Sequence, residues 1–287
     1  MAEFILTGFA DEIADSLDAQ IEGLRKNGIG FVEIRGVGGR NISTYTPEEA
    51  HGLRKKLDAG GIRVSALGSP VGKIGLDDPA EWDRHFAMFK AMLDVANALG
   101  TRYLRMFSFF LPGGEPPLKY RDEVMSRLHA LVEAASGRGV MLVHENERDI
   151  YGEDIARCLD ILTTFEGGIR CVLDPANYVI CGVDPKEAYP ALKPYIEYLH
   201  VKDARGSLKR EGEARDLGFQ NVSESILPAG VGDGQIEWIV GQLWKDGFEG
   251  FLSVEPHLVN NSNYPGDGLA KFTVAADHLK MIINRIT

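Results

Sequence analysis

The chain has 287 residues, 44% hydrophobic and 25% charged, an ordinary balance for a water-soluble globular protein and enough for one large barrel or two small domains. Its formal net charge of −11 argues against a surface built to grip phosphate backbones, so nucleic acid is not an expected partner. No apolar stretch approaches the ~18 residues of a membrane span, so no membrane partner is expected either.

The first residues, MAEFILTGFADEIADS, carry no basic segment and only a short apolar run, and do not read as a signal peptide. Cys158, Cys171 and Cys181 are odd in number and form no CxxC pair, which disfavours a disulfide framework or a cysteine zinc site. A reducing cytoplasm is the simplest location, and the sequons at Asn41, Asn221 and Asn260 then read as chance.

In chain order the apolar runs are FILTGF (4–9), FVEIRGV (31–37), VSALGSP (64–70) and YLRMFSF (103–109). VMLVHEN (140–146), RCVLDPAN (170–177), YLHVKDA (198–204) and FLSVEPH (251–257) follow. They are short, rich in β-branched and aromatic residues and lack clean polar alternation, the texture of strands buried on both faces of a parallel sheet. Amphipathic helices separate them. Thr46-Pro47-Glu48-Glu49, Asp78-Pro79-Ala80-Glu81 and Asp184-Pro185-Lys186-Glu187 repeat one start signal of cap, proline and acidic first turn. Segments such as KKLDAGGIRVSA end a helix at glycine before the next strand.

Eight such units of roughly 30 residues predict an α/β protein, a single (β/α)8 TIM barrel spanning 1–287. An open doubly wound sheet is the rival, but GFADEI lacks the glycine-rich turn such a sheet carries after its first strand. One connection is irregular: residues 204–234, after the seventh strand, are long and charged, either a lid over the barrel mouth or a solvated insertion.

In a barrel, the residues at the C-terminal strand ends converge on one face. Glu145, Asp174, His200 and Glu255 occupy the same place on four successive strands. Three carboxylates brought together repel one another, and one divalent metal ion removes the conflict. Manganese, cobalt, magnesium and zinc all tolerate oxygen donors plus an imidazole, and manganese is the expected ion.

The tips HEN, LDPAN, LHVKD and SVEPH, with GVGDGQIEW before the seventh helix, resemble the xylose-isomerase-like TIM-barrel superfamily over essentially the whole chain. That superfamily includes tagatose and psicose 3-epimerases, inosose isomerases and dehydratases, and apurinic endonucleases. The resemblance implies that Glu145, Asp174, His200 and Glu255 bind the metal. It also makes Glu145 and Glu255 the catalytic pair, moving a proton through a metal-bound enediolate in a sugar, keto-sugar or polyol substrate. A lyase on the same site, an inosose-type dehydratase or keto-glycoside eliminase, is the alternative, and a non-catalytic sugar-binding subunit a third reading. Family members often form homo-oligomers.

Two departures stand out. Asn177 occupies the place of a substrate-holding histidine, and Lys202 and Arg205 are the nearby cations where the epimerases use arginine. The endonuclease branch needs extra histidines, but strands 3 and 4 end in Gly68-Ser69-Pro70 and Phe107-Ser108-Phe109. Asn177, Lys202, His257, Arg105 and Glu33 are the expected substrate-binding residues. Lys202 could instead pair locally with Asp203, and Arg105 with Glu33. His144, next to Glu145, should face away from the pocket. GVGDG is a tight turn or, less favoured, a phosphate cradle; Trp82, Trp238 and Trp244 belong to the core.

Overall fold

The apolar runs form eight strands, β1 (Glu3–Gly8), β2 (Phe31–Ile34), β3 (Arg63–Leu67), β4 (Tyr103–Met106), β5 (Met141–Glu145), β6 (Ile169–Leu173), β7 (Ile196–Val201) and β8 (Glu249–Val254). They come from a computed structural model describing residues 2–206 and 225–287. Each strand is followed in sequence by a helix: α1 (Leu17–Lys26), α2 (Pro47–Ala59), α3 (Pro79–Leu99), α4 (Arg121–Ala135), α5 (Ile155–Thr164), α6 (Pro185–Leu192), α7 (Ile236–Lys245) and α8 (Gly268–Ile286). The hydrogen-bonded order is β1-β8-β7-β6-β5-β4-β3-β2 with every pairing parallel. β1 and β2 pack side by side, bringing the two ends of the sheet together. This is the expected TIM barrel.

The helix starts follow the sequence signals. Thr46 and Glu49 form a reciprocal capping box ahead of α2, and Asp78 accepts the amides of Ala80 and Glu81 at 2.8 and 3.0 Å. Asp184 accepts from Lys186 at 2.9 Å. Each cap satisfies amides that the first turn leaves without an intrahelical partner. A short helix, Pro175–Ile180, is inserted after β6 with Asp174 as its cap; strict strand–helix alternation did not foretell it.

Side chains alternate inward and outward along each strand. Ala66, Tyr103, Val143, Val172 and Tyr198, with Met141 and Phe251 against them, fill the lower interior of the barrel. Bulges fall between Val32 and Glu33 and between Cys171 and Val172, shifting the register just below the rim. The connection expected at 204–234 lies mostly outside the described residues. Its described ends pair as an antiparallel ribbon, Asp203–Ala204 with Ile226–Leu227.

Candidate metal centre

β5 ends in Glu145, β6 runs into Asp174, His200 is the penultimate residue of β7, and Glu255 follows β8 directly. One potential ligand atom from each of the four lies within 4.8 Å of the others, and all four residues are buried. Inward alternation delivers them to one level: Val143 and Glu145, Val172 and Asp174, Tyr198 and His200, and Ser253 and Glu255 are each two residues apart.

The carboxylates are held from several sides. Glu145 Oε2 lies 3.2 Å from Arg105 Nη1, and its Oε1 accepts from Asn177 Nδ2 at 3.3 Å. Asp174 Oδ1 accepts from the Asn177 amide at 2.9 Å, capping the short helix. Its Oδ2 pairs with Lys202 Nζ at 2.6 Å. Lys202 also donates to Glu255 Oε2 at 2.8 Å, while Glu255 Oε1 is 3.0 Å from His257 Nε2 and 3.5 Å from Arg35 Nη1. His200 Nδ1 stands 3.1 Å from Glu145 Oε1 and 3.4 Å from Glu255 Oε2. The repulsion expected among three carboxylates is thus already offset by the chain's own arginines and lysine.

Burial disfavours the ionised form of Glu145, but the charges of His200 and Arg105 outweigh it and hold the group well below the usual carboxylate range. Glu255 is likewise held low against burial by Lys202, His257 and His200. At Asp174 burial prevails over the attraction of Lys202, and repulsion from Glu145 and Glu255 adds to it, raising the group to about 6. Burial opposes the imidazolium of His200, yet the charges of Glu33, Glu145 and Glu255 raise it to about 10.

A divalent cation suits this set. Glu145 Oε2, Asp174 Oδ2 and His200 Nδ1 are buried polar atoms that make no aligned hydrogen bond, although all three have ion-pair contacts. Such atoms are costly to bury, and three carboxylates with one imidazole are the donors that hard and borderline divalent ions take.

Above the four residues opens a cleft of about 760 Å³ whose lining includes Asn177, Lys202 and His257. Three of the five expected substrate contacts therefore face it. Glu33 and Arg105 do not. Arg105 pairs with Glu145 rather than Glu33 and donates to the Ser69 carbonyl at 3.3 Å, and Glu33 is fully buried beneath His200. Alternation from Phe31, which packs against Phe251, turns Glu33 into the interior, but it lies beneath the imidazole instead of at the rim, a depth that the sequence of β2 does not mark. Lys202 pairs with Asp174 and Glu255 instead of Asp203.

His144 faces outward as expected, with Nε2 3.0 Å from Ser108 Oγ; burial lowers its pKa to about 4. GVGDG is a tight turn wrapped around a carboxylate of the chain itself. Asp203 accepts the amides of Gly230, Gly232 and Gly234.

The cleft also gathers Asp11, Glu12, Arg35, Lys73 and Glu147. Arg35 bridges Asp11 at 2.7 Å and Glu12 at 3.2 Å, and Lys73 meets Glu147 at 3.0 Å. Asp11, Glu12 and Arg35 stand near strand tips and were visible as polar residues there. Lys73 lies in an irregular loop where no periodicity marks it. Tyr198 and Ser253, which bond Glu33, sit two residues before ligand-type residues, a spacing that alternation could have exposed.

A model of the xylose isomerase-like TIM barrel family matches residues 21–280 of the chain. No curated protein sequence matches it significantly. Among solved structures, the IOLI protein with a bound zinc atom is 15% identical with a TM-score of 0.77, each chain 99% covered. The probable 3-DHS dehydratase AsbF of Bacillus anthracis is 14% identical at a TM-score of 0.72, with 96% of this chain and 98% of that one covered. A D-tagatose 3-epimerase-like protein is 16% identical at 0.70, with 99% and 100% covered. At such identities the likeness shows a shared fold.

Proposed function

The chain belongs to the xylose isomerase-like TIM barrel family, and from that premise we propose that it is a divalent-metal-dependent isomerase or epimerase of a sugar, keto-sugar or polyol. The observation that carries this reading is the convergence of three carboxylates and one imidazole within 4.8 Å at the barrel mouth. Glu145, Asp174, His200 and Glu255 would hold the ion, with manganese the expected metal and cobalt, magnesium or zinc its alternatives. Bound there, the ion supplies Lewis-acid polarisation of a carbonyl and makes the adjacent C–H more acidic.

The remaining work falls to the chain. Glu145 and Glu255, both held ionised by neighbouring charges, stand on separate strands. One accepts a proton from the substrate carbon, and the other, which must first take a proton from solvent in the cleft, returns one. Arg105 and Asn177 fix Glu145, while Lys202 and His257 fix Glu255. The polar ends of Asn177, Lys202 and His257 line the cleft and meet the substrate hydroxyls. We read residues 1–287 as one barrel domain. Among the described residues no helix is long and apolar enough to cross a membrane, and the buried thiols of Cys158 and Cys171 support a reducing, cytoplasmic setting.

A lyase on the same site is the second reading. Lys202 favours it, because a fixed ammonium on the cleft wall beside Glu255 would stabilise the negative charge on a departing β-hydroxyl oxygen. One experiment separates the two. Protein loaded with Mn2+ or Co2+ is incubated with a panel of ketoses in D2O, and the products are weighed by mass spectrometry. Deuterium beside the carbonyl without other mass change supports the isomerase, and loss of water supports the lyase. Absence of exchange together with absence of metal binding at the four residues overturns both.

A further inference from the structure

Beneath the four converging residues lies a fourth buried carboxylate, Glu33, with no exposure to solvent. Its Oε1 accepts from Tyr198 OH at 2.9 Å, and its Oε2 from Ser253 Oγ at 2.7 Å. Both oxygens stand 3.1 Å from His200 Nε2. A carboxylate pinned by two hydroxyl donors offers the ring lone pairs and no proton, so the network assigns the Nε2 hydrogen to His200. The opposite nitrogen, Nδ1, then faces Glu145 and Glu255. Phe9 packs against the ring edge-on with centroids 5.2 Å apart, which restricts its rotation.

We propose that Glu33 is a positioning residue: it holds His200 in the tautomer and orientation that present Nδ1 to a divalent cation. The inference rests on the metal reading above, and it gives an otherwise costly buried charge a task. An anionic partner on the far nitrogen also makes the imidazole a stronger donor to the ion. Tyr198 and Ser253 act through Glu33 by fixing its carboxylate plane.

The test is a titration of metal-free protein with Co2+, followed by visible absorption and by the 15N shifts of the histidine rings. Wild type should bind one ion, and His200→Ala should weaken that binding severely. If wild type binds no Co2+, or His200→Ala binds as wild type does, the metal reading itself fails. If both behave as expected, Glu33→Gln and Glu33→Ala should raise the Co2+ Kd by about 10- to 100-fold. They should also move the 15N signal of the His200 Nε2–H, which Glu33 accepts in wild type, a change that loss of packing alone does not produce. Wild-type affinity and wild-type ring shifts in both variants overturn the proposal. Should neither variant fold, the pair Tyr198→Phe and Ser253→Ala keeps the carboxylate but frees it, and a several-fold higher Kd is expected. An unchanged Kd there overturns it equally.

Discussion

Asp203 accepts the backbone amide of Gly234 at 2.7 Å, and the same carboxylate takes the amides of Ala204, Gly230 and Gly232 at 2.8 to 2.9 Å. One side chain thus ties the turn before α7 to the end of β7. Asp203→Ala should cost about 2–4 kcal/mol, since buried amides lose their acceptor. Gly232→Ala should also destabilise, because its new Cβ would lie 2.4 Å from the Ala204 carbonyl oxygen and 2.5 Å from Asp203 Oδ1. Denaturant midpoints check both, and a change under about 0.5 kcal/mol in either would contradict the account.

Glu145→Gln and Glu255→Gln keep the side-chain shape and remove a proton acceptor. Each should lower kcat by about 10²- to 10⁴-fold, the usual contribution of a positioned acid or base. Because both residues also belong to the proposed ligand set, the check pairs isotope exchange with metal titration. Full exchange in either variant would remove that residue from the mechanism.

A divalent ion that binds the folded chain alone should stabilise it. At a free concentration one hundred times Kd the gain is about 2.7 kcal/mol. Thermal melts with added Mn2+ should shift upward in wild type and much less in Asp174→Asn, whose amide is a poorer ligand. Equal shifts in both proteins would point to an ion bound elsewhere.

His144 sets a pH dependence remote from turnover. Burial lowers its pKa from an ordinary 6.5 to about 4, with the charge of Glu145 opposing weakly. The unfolded chain therefore takes up this proton at a higher pH than the folded one. The stability from keeping the ring neutral is complete above 6.5 and is lost as pH falls through 4, about 3 kcal/mol in all. His144→Gln cannot titrate and should flatten that part of the stability curve. An unchanged slope between pH 7 and 4 would show that His144 is not the titrating group.

The reach of the sequence had a physical boundary. Strand positions and the convergence of Glu145, Asp174, His200 and Glu255 were legible because both depend on local pattern: alternation within a strand and equivalent places on neighbouring strands. The partners of those residues were not. Glu33 meets His200 across 167 residues of chain, and their relative height in the barrel is set by the stagger of strands that are not neighbours in sequence. Arg105 and Lys202 were recognised as polar rim residues, but which carboxylate each would hold depends on the shear of the closed sheet. GVGDG illustrates another limit, since a glycine turn holds an external anion or an internal carboxylate with the same backbone.

The stacked side chains in the lower barrel have a consequence for isotopes. Tyr103, Val143, Val172, Tyr198 and Phe251 stopper the channel under His200, so the vessel fills and drains by its upper rim. On the proposed reading, a hydrogen taken from substrate would leave by the route through which substrate arrived. The label a product kept would then report how quickly the cleft exchanges with solvent through that single opening.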